Sequence, residues 1–356
     1  MTLKEIAEEL KVSPSTVSRV LNGRSKNFSV KPELRKRILE QIEASGYRPN
    51  RVFSSLRNKE NSQISFLFYD RNLLRQTNPV SDAVDVISRE LPKLNYTFNF
   101  IPCESVRNLY YPVPEWKVAG LIVPDVIYPR QLRNIEEAGI PYVVVNGICG
   151  KSGSAVMSDE AANMRLVMEH LHTLGHRRIG YLTLTPDRSS LAERLAGFIA
   201  ASTRHCLTFD PRLVEVIPND PLLPTEKIPA HRSEFLREAF KRMLALPEAE
   251  RPTALFTSHD FIAIELFRIA AETGVKIPGQ LSLIGFDNID CSGWLPVPLT
   301  TVAHDFAGMG RLAARLMVSG FGRNRELPPL PEGTAPRYRV RPTLIERKSV
   351  RTLSQP

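Results

Sequence analysis

Apolar residues fall at helical spacing through the first sixty positions and in short continuous runs after Ile64, so the chain reads as a helical segment followed by a larger alternating α/β body. Thr2 and Glu5 form the two ends of a capping box, and Ile6, Ala7 and Leu10 share one helical face, which predicts a first helix ending near Leu10. Ser13 then Pro14 sets a side-chain cap beside a residue whose fixed φ suits the first helical position. A second helix is therefore predicted over 14–21, closed by Asn22-Gly23. A third, over 32–45, buries Leu34, Ile38 and Ile42 and stops at Gly46. Three short helices, the first two joined by a few residues, describe a helix-turn-helix unit.

Candidate strands follow at 64–69, 96–101, 120–123, 142–145, 179–183, 213–217, 254–257 and 281–286, with helices between most of them at 80–94, 159–174, 189–203, 232–246 and 261–273. Apolar strands separated by crossover helices imply parallel sheets covered on both faces. At this length two smaller sheets with a cleft between them suit the chain better than one wide sheet. The proline-rich stretch 327–336 reads as a connection and 338–346 as a terminal strand.

Composition narrows the class. With 356 residues, 42% hydrophobic and 24% charged, and no run of 18 apolar residues, the chain reads as a soluble globular protein without a membrane span. Acidic residues near Met1 stand where a secretory signal needs an apolar stretch, so a cytoplasmic location is expected. Cys103, Cys149, Cys206 and Cys291 are scattered and form no CxxC pair, which favours reduced thiols over a disulfide framework or a zinc site. Charge is uneven: residues 1–60 hold 13 Lys and Arg against 7 Asp and Glu, so six of the nine net positive charges lie in the first sixth of the chain. That asymmetry suits phosphate neutralisation, although a solvated basic face explains it equally well.

The second helix sharpens the choice. With Val17, Val20 and Leu21 inward, its outward residues are Ser15, Thr16, Ser18 and Arg19: short hydroxyls plus one long fork of donors. Hydroxyls and a helix N-terminus can meet phosphates and base edges, and an arginine can pair with guanine O6 and N7 in the major groove. Capping and surface charge are the alternative reading. Three other patterns carry less. Gly150-Lys151-Ser152 lacks the glycine five residues earlier that a phosphate loop requires. His170 and His172 lie on opposite helix faces, and Gly175 should end the helix before His176, so no metal site is expected. No nucleophile elbow or comparable catalytic spacing is present, so no enzymatic activity and no cofactor is expected.

The run from Leu3-Lys4-Glu5-Ile6-Ala7 through Val12-Ser13-Pro14-Ser15-Thr16-Val17-Ser18-Arg19-Val20-Leu21-Asn22-Gly23, then Gly46-Tyr47-Arg48-Pro49-Asn50, resembles the lactose-repressor (LacI/GalR) family of bacterial transcription regulators. Further matches follow in family order: Gly139 to Val145, His170 to Ile179, Glu193-Arg194-Leu195-Ala196-Gly197-Phe198, Pro252 to Phe256, Leu281 to Asn288, Pro298 to Val302 and Leu344 to Ser349. The resemblance implies an all-α helix-turn-helix DNA-binding domain joined to an α/β periplasmic-binding-protein-like core of two lobes with parallel sheets.

On this resemblance, Pro14, Ser15, Thr16, Ser18 and Arg19 fall on the recognition helix, while Asn22, Tyr47 and Asn50 occupy backbone-contacting positions. Residues 50–57 resemble a hinge helix, too short to form alone and expected to fold in the minor groove, with Leu56 as the wedge between base steps and Phe53 a bulky departure beside it. Lys11 departs from the glycine common in the tight turn. In the core, Arg194 and Asp287 match the family's ligand-binding arginine and acidic residue. Asp159 and Asp260 sit at similar strand-to-helix corners, where N-capping competes with ligand contact. His259 stands where the family often has asparagine, and Trp294 reads either as a stacking cover for the cleft or as a core residue.

The expected organisation is a reader over 1–48, a hinge and linker over 49–61, a two-lobed ligand-binding and dimerisation core over 62–349, and a tail over 350–356 too short for a tetramerisation helix. The expected function is a DNA-binding transcriptional regulator, a repressor acting as a homodimer on a pseudo-palindromic double-stranded operator, whose affinity is set by a small effector, a carbohydrate. The rival is a cytoplasmic small-molecule binding protein or enzyme carrying a non-specific basic module.

Overall fold

The computed structural model describes residues 2–22, 30–46, 62–68, 80–103, 113, 117–124, 126, 128–186, 189–205, 207, 209–218, 228–319 and 337–353. The chain divides into two compact units, Met1–Asn61 and Ser62–Pro356.

In the first unit, α1 (Leu3–Glu9), α2 (Pro14–Asn22) and α3 (Pro32–Ser45) enclose a small core of Ile6, Ala7, Val17, Val20, Ile38 and Ile42. The capping box forms in full: Thr2 N donates to Glu5 Oε2 at 2.9 Å and Glu5 N to Thr2 Oγ1 at 3.3 Å. Ser13 Oγ accepts from Thr16 N at 3.1 Å and so begins α2. Gly46, with φ +63°, ends α3 in the left-handed conformation that a Cβ disfavours. Lys11 holds φ +52° in the turn between α1 and α2, so the tight turn keeps its left-handed shape without glycine.

The second unit contains two six-stranded sheets, ordered β11-β5-β4-β3-β1-β2 and β12-β10-β9-β8-β6-β7. The first sheet is built from β1 (Gln63–Phe68), β2 (Thr97–Pro102), β3 (Gly120–Pro124), β4 (Tyr142–Val145), β5 (Ser154–Ser158) and β11 (Arg337–Val340). The second is built from β6 (Ile179–Leu184), β7 (Val214–Ile217), β8 (Ala254–Thr257), β9 (Ser282–Phe286), β10 (Thr300–Ala303) and β12 (Thr343–Ile345). All pairings among these are parallel except β10 with β12.

Period-two alternation explains the burial on both faces. Ile64, Phe66, Ile122, Val143, Val145 and Val156 point to one side of the first sheet, where α4 (Val80–Lys93) and α10 (Phe306–Ser319) cover them. Leu67, Leu121, Val123, Val144, Ala155 and Met157 point to the other, over α5 (Arg133–Glu137). In the second sheet Leu182, Leu255 and Leu283 pack under α8 (Ile228–Ala245) and α9 (Asp260–Glu272). Tyr181, Phe256, Ile284 and Phe286 pack under α6 (Glu160–Thr173) and α7 (Ser189–Arg204). A Cβ on Gly310 would lie 2.5 Å from the Ala83 carbonyl oxygen, so this glycine permits the close approach of α10 to α4.

Among the described residues the chain crosses between lobes three times: at Asp159, at His304-Asp305 and at Arg341-Pro342. The expected single terminal strand over 338–346 is thus two strands in different sheets. Residues 350–353, expected as a tail, are fastened to the second lobe: Arg351 N donates to Ser282 Oγ at 3.0 Å and Leu353 N to Leu174 O at 2.8 Å.

Candidate functional site

On α2, Pro14, Ser15 and Arg19 are exposed and Thr16 is half-buried. Ser13 Oγ lies 2.7 Å from Ser15 Oγ and 2.9 Å from Thr16 Oγ1, so the hydroxyls at the start of the helix form one linked polar edge. Ser18 departs from expectation: it is 7% exposed and faces inward. The reason is that α2 packs against both α1 and α3, so its buried arc takes in more than the single stripe to which Val17 and Val20 belong. Asn22 is the last residue of α2, and its side chain lies outside the described residues, as do Tyr47, Asn50, Phe53 and Leu56.

The second candidate lies at the C-terminal ends of the second-lobe strands, beside two of the interlobe crossings, where open α/β sheets place their ligands. Arg194, on α7, is only 3% exposed. Its Nε donates to Glu160 Oε2 at 2.9 Å and its Nη2 to Glu160 Oε1 at 3.1 Å, a bidentate pair with a carboxylate that is 1% exposed. Nη1 donates to the Ser258 carbonyl, and the guanidinium stacks 3.5 Å from the Phe286 ring centroid. Burial pushes the Glu160 carboxyl up, but the charge and hydrogen bonds of Arg194 outweigh it and hold the group below its usual range.

His304, at the second crossing, completes the cluster: its Nε2 lies 3.5 Å from Arg194 Nη2 and 3.8 Å from Asp287 Oδ1. Guanidinium nitrogens only donate, so Nε2 is the acceptor and the ring is neutral with its proton on Nδ1, which is buried without a partner. Burial, opposed by Glu160 and reinforced by Arg194, lowers the His304 pKa to about 4.

Asp287 follows β9 with φ +109°, and Asn288 follows with φ +53°. This left-handed corner is held from several directions. Asp287 N donates to Val302 O at 2.8 Å, Asn288 N to Thr301 Oγ1 at 3.3 Å, and Arg347 Nη2 to Asn288 Oδ1 at 2.7 Å. The Asp287 carboxyl is largely buried and, among the described residues, receives no hydrogen bond. Burial raises its pKa well above the carboxylate range; Arg194 opposes this, while Asp260 and Glu160 add to it.

The other expected ligand residues divide. Asp260 is fully buried and both its oxygens are engaged: Oδ1 accepts from Thr301 Oγ1 at 2.6 Å and Oδ2 from Ile289 N at 3.0 Å. It shapes the Asp287 corner from behind, and burial raises its pKa to about 6 despite these bonds. Asp159 caps α6, accepting from Ala162 N at 3.0 Å. His259 is half-buried, with Nδ1 2.9 Å from Ser258 Oγ and its ring against Phe261. Trp294 is 79% exposed beyond the short 3-10 turn Asp290–Gly293, which excludes the core alternative.

Sequence reasoning missed Glu160, His304 and Arg347. A glutamate just after a capping aspartate carries a weak local signal, since such residues are ordinarily exposed; the other two carry none. The remaining candidates have structural explanations. Gly150 N donates to the Tyr142 hydroxyl and Ser152 N to Glu136 Oε1, so the Gly-Lys-Ser stretch is a clasped loop. His176 is fully buried, bridging Thr253 Oγ1 at 2.9 Å and Arg351 O at 3.0 Å, and burial lowers its pKa to about 4. Among the described residues, no three His, Cys, Asp or Glu side chains gather to hold a metal, and no helix is long and apolar enough to cross a membrane.

Residues 2–50 match the family of bacterial regulatory proteins known as the lacI family, and residues 168–350 match the periplasmic binding protein-like domain. The chain is 27% identical over 325 residues to the HTH-type transcriptional repressor PurR of Aliivibrio fischeri, covering 89% of this chain and 90% of that one. It is 27% identical over 327 residues to catabolite control protein A of Priestia megaterium, covering 89% and 91%. Among solved structures, the lac repressor dimer bound to operator and the anti-inducer ONPF shares the fold at TM-score 0.71 and 22% identity over 99% of each chain. The transcriptional regulator CelR–cellobiose complex does so at TM-score 0.64 and 23% identity, covering 98% and 99%. With the helix-turn-helix at one end and the two-lobed core at the other, the chain belongs to the lacI family of bacterial regulatory proteins and is a DNA-binding transcriptional regulator.

Proposed function

We propose that this regulator is a cytoplasmic homodimeric repressor, not an enzyme, whose hold on a pseudo-palindromic operator is set by a polyol effector at the Asp287 corner. The observation that carries this reading is the Asp287 carboxyl itself: largely buried, without a hydrogen-bond donor among the described residues, and set in a positive-φ corner held by bonds from two other segments, β10 and Arg347. A non-glycine residue kept in so sparsely populated a conformation marks a functional position. An acceptor kept short of donors is completed by ligand hydroxyls. Arg194 contributes its remaining N–H capacity, while Glu160 and Ser258 keep its guanidinium in place. The cellobiose bound in one structural neighbour supports a carbohydrate.

Coupling follows from position. Glu160 and His304 belong to two of the three interlobe crossings, and both meet Arg194. A ligand that draws on Arg194 and Asp287 therefore biases the angle between lobes, and through residues 49–61 the spacing of the two readers, where Pro14, Ser15, Thr16 and Arg19 meet operator edges and Asn22, Tyr47, Asn50, Phe53 and Leu56 meet backbone and minor groove. Linkage requires operator binding to change effector affinity by the same factor.

The test is Asp287→Asn in the full chain. Fluorescence anisotropy on an operator selected from random DNA should give a Kd close to wild type. The shift in that Kd produced by a panel of mono- and disaccharides and their phosphorylated forms should disappear. Loss of operator binding without ligand, or a response that survives intact, would overturn the reading.

A further inference from the structure

A row of side chains leads outward from Arg194 across the second lobe. Arg194 Nη1 donates to the Ser258 carbonyl; the Ser258 hydroxyl lies 2.9 Å from His259 Nδ1; the His259 ring lies 5.0 Å from that of Phe261. The guanidinium of Arg232, reaching in from α8, lies 4.9 Å from the Phe261 ring centroid. Phe261 is 36% exposed, so this outer end of the row opens to solvent.

Arg232 differs from its neighbours on the same helix. Arg237 pairs with Glu272, and Arg242 pairs with Glu215 at 2.9 Å through both Nε and Nη2. Arg232 is half-buried and, among the described residues, has neither a carboxylate in ion-pair reach nor an acceptor for its N–H groups. Burial alone pushes its pKa down, with no acid to oppose it. A guanidinium partly withdrawn from water and left with only a ring face retains unfilled donor capacity in a planar fork that suits two oxygens of one anion. The Phe261 ring restricts where that fork can point.

Resting on the effector reading above, we propose that Arg232 recognises an anionic group on the effector, which is therefore a polyol bearing a phosphate or a carboxylate rather than a neutral sugar. Hydroxyls meet the Asp287 carboxyl, whose burial makes it a poor place for a second negative charge, and the anion meets Arg232 beside Phe261 and His259.

The experiment is a thermal-shift and operator-release titration of the full chain with glucose 6-phosphate, ribose 5-phosphate, gluconate, glucose and ribose. At least one charged compound should raise the unfolding midpoint and change operator affinity. Its Kd should weaken at least about tenfold in Arg232→Gln, with partial recovery in Arg232→Lys. The unliganded midpoint of each variant checks that folding is intact. A response to the phosphates without gluconate assigns a phosphate, and the reverse assigns a carboxylate. The proposal is overturned if glucose or ribose binds as tightly as its charged counterpart, if Arg232→Gln leaves the charged ligand's Kd unchanged, or if no charged compound is bound. A ligand whose effect passes unchanged through Asp287→Asn would instead defeat the effector reading itself.

Discussion

The start of α2 and the cluster around Arg194 are both dense in polar groups, yet they are assembled in opposite ways. At α2, Ser13, Ser15 and Thr16 bond to one another within three residues, at the surface, and the helix would present the same edge in almost any context. Around Arg194, the partners are 34, 64 and 110 residues away in sequence, and the charges are buried. A reader of DNA needs exposed groups on a small rigid frame. On the proposed reading, a sensor that moves two lobes needs groups whose arrangement exists only when distant segments come together, and the two units differ in this sense.

The contrast is broken most forcefully at Glu160. Replacing it with glutamine leaves Arg194 buried beside Phe286 without its counter-charge, and severing one partner of a buried pair costs about 3–5 kcal/mol. Chemical denaturation should show that loss in the core transition, and the effector response should vanish with it. A loss under about 1 kcal/mol would mean that the pair is solvated in solution, and the cluster would then resemble the α2 edge after all.

The reader predicts the reverse balance. Arg19→Ala removes an exposed side chain, so stability should change by less than about 0.5 kcal/mol. Operator discrimination against random DNA should fall by about 1–3 kcal/mol, the contribution of one good base contact. Competition binding at several salt concentrations separates these outcomes. An equal loss on operator and random DNA would make Arg19 a phosphate contact.

The same contrast governs how much was legible in the sequence. Helix caps, the αL stop at Gly46 and the apolar runs of β1, β4, β6 and β8 are local, and these elements coincide with the expected ones to within a residue or two, whereas α8 begins four residues before its expected start. β5 was hidden behind the Gly150–Gly153 loop, and α10 behind Gly308 and Gly310, both of which lower helix propensity, while Gly310 allows α10 to approach α4. The split of the terminal strand depends on which sheet receives each half, a property of tertiary pairing alone. Arg194 and Asp287 were singled out by resemblance, whereas Glu160, His304 and Arg347 could be found only once the fold had brought them together. Ser18 failed for a related reason: one stripe of apolar residues does not reveal that a helix is clasped from two sides.

The smallest expected effect lies at Lys11, where local strain and DNA electrostatics meet in one residue. A side chain at φ +52° costs on the order of 1 kcal/mol relative to glycine, partly offset by glycine's greater freedom in the unfolded chain. Lys11→Gly should therefore stabilise the first unit by up to about 1 kcal/mol, visible as slower amide exchange at Ile6 and Val17 in the full chain. If the lysine also neutralises a phosphate, the slope of log K against log salt should fall in magnitude by about 0.9, whereas a purely conformational role leaves that slope unchanged. Lys11→Asn removes the charge while keeping a residue that tolerates the left-handed region, so agreement between the two variants in slope but not in exchange would assign the charge to DNA and the strain to the turn.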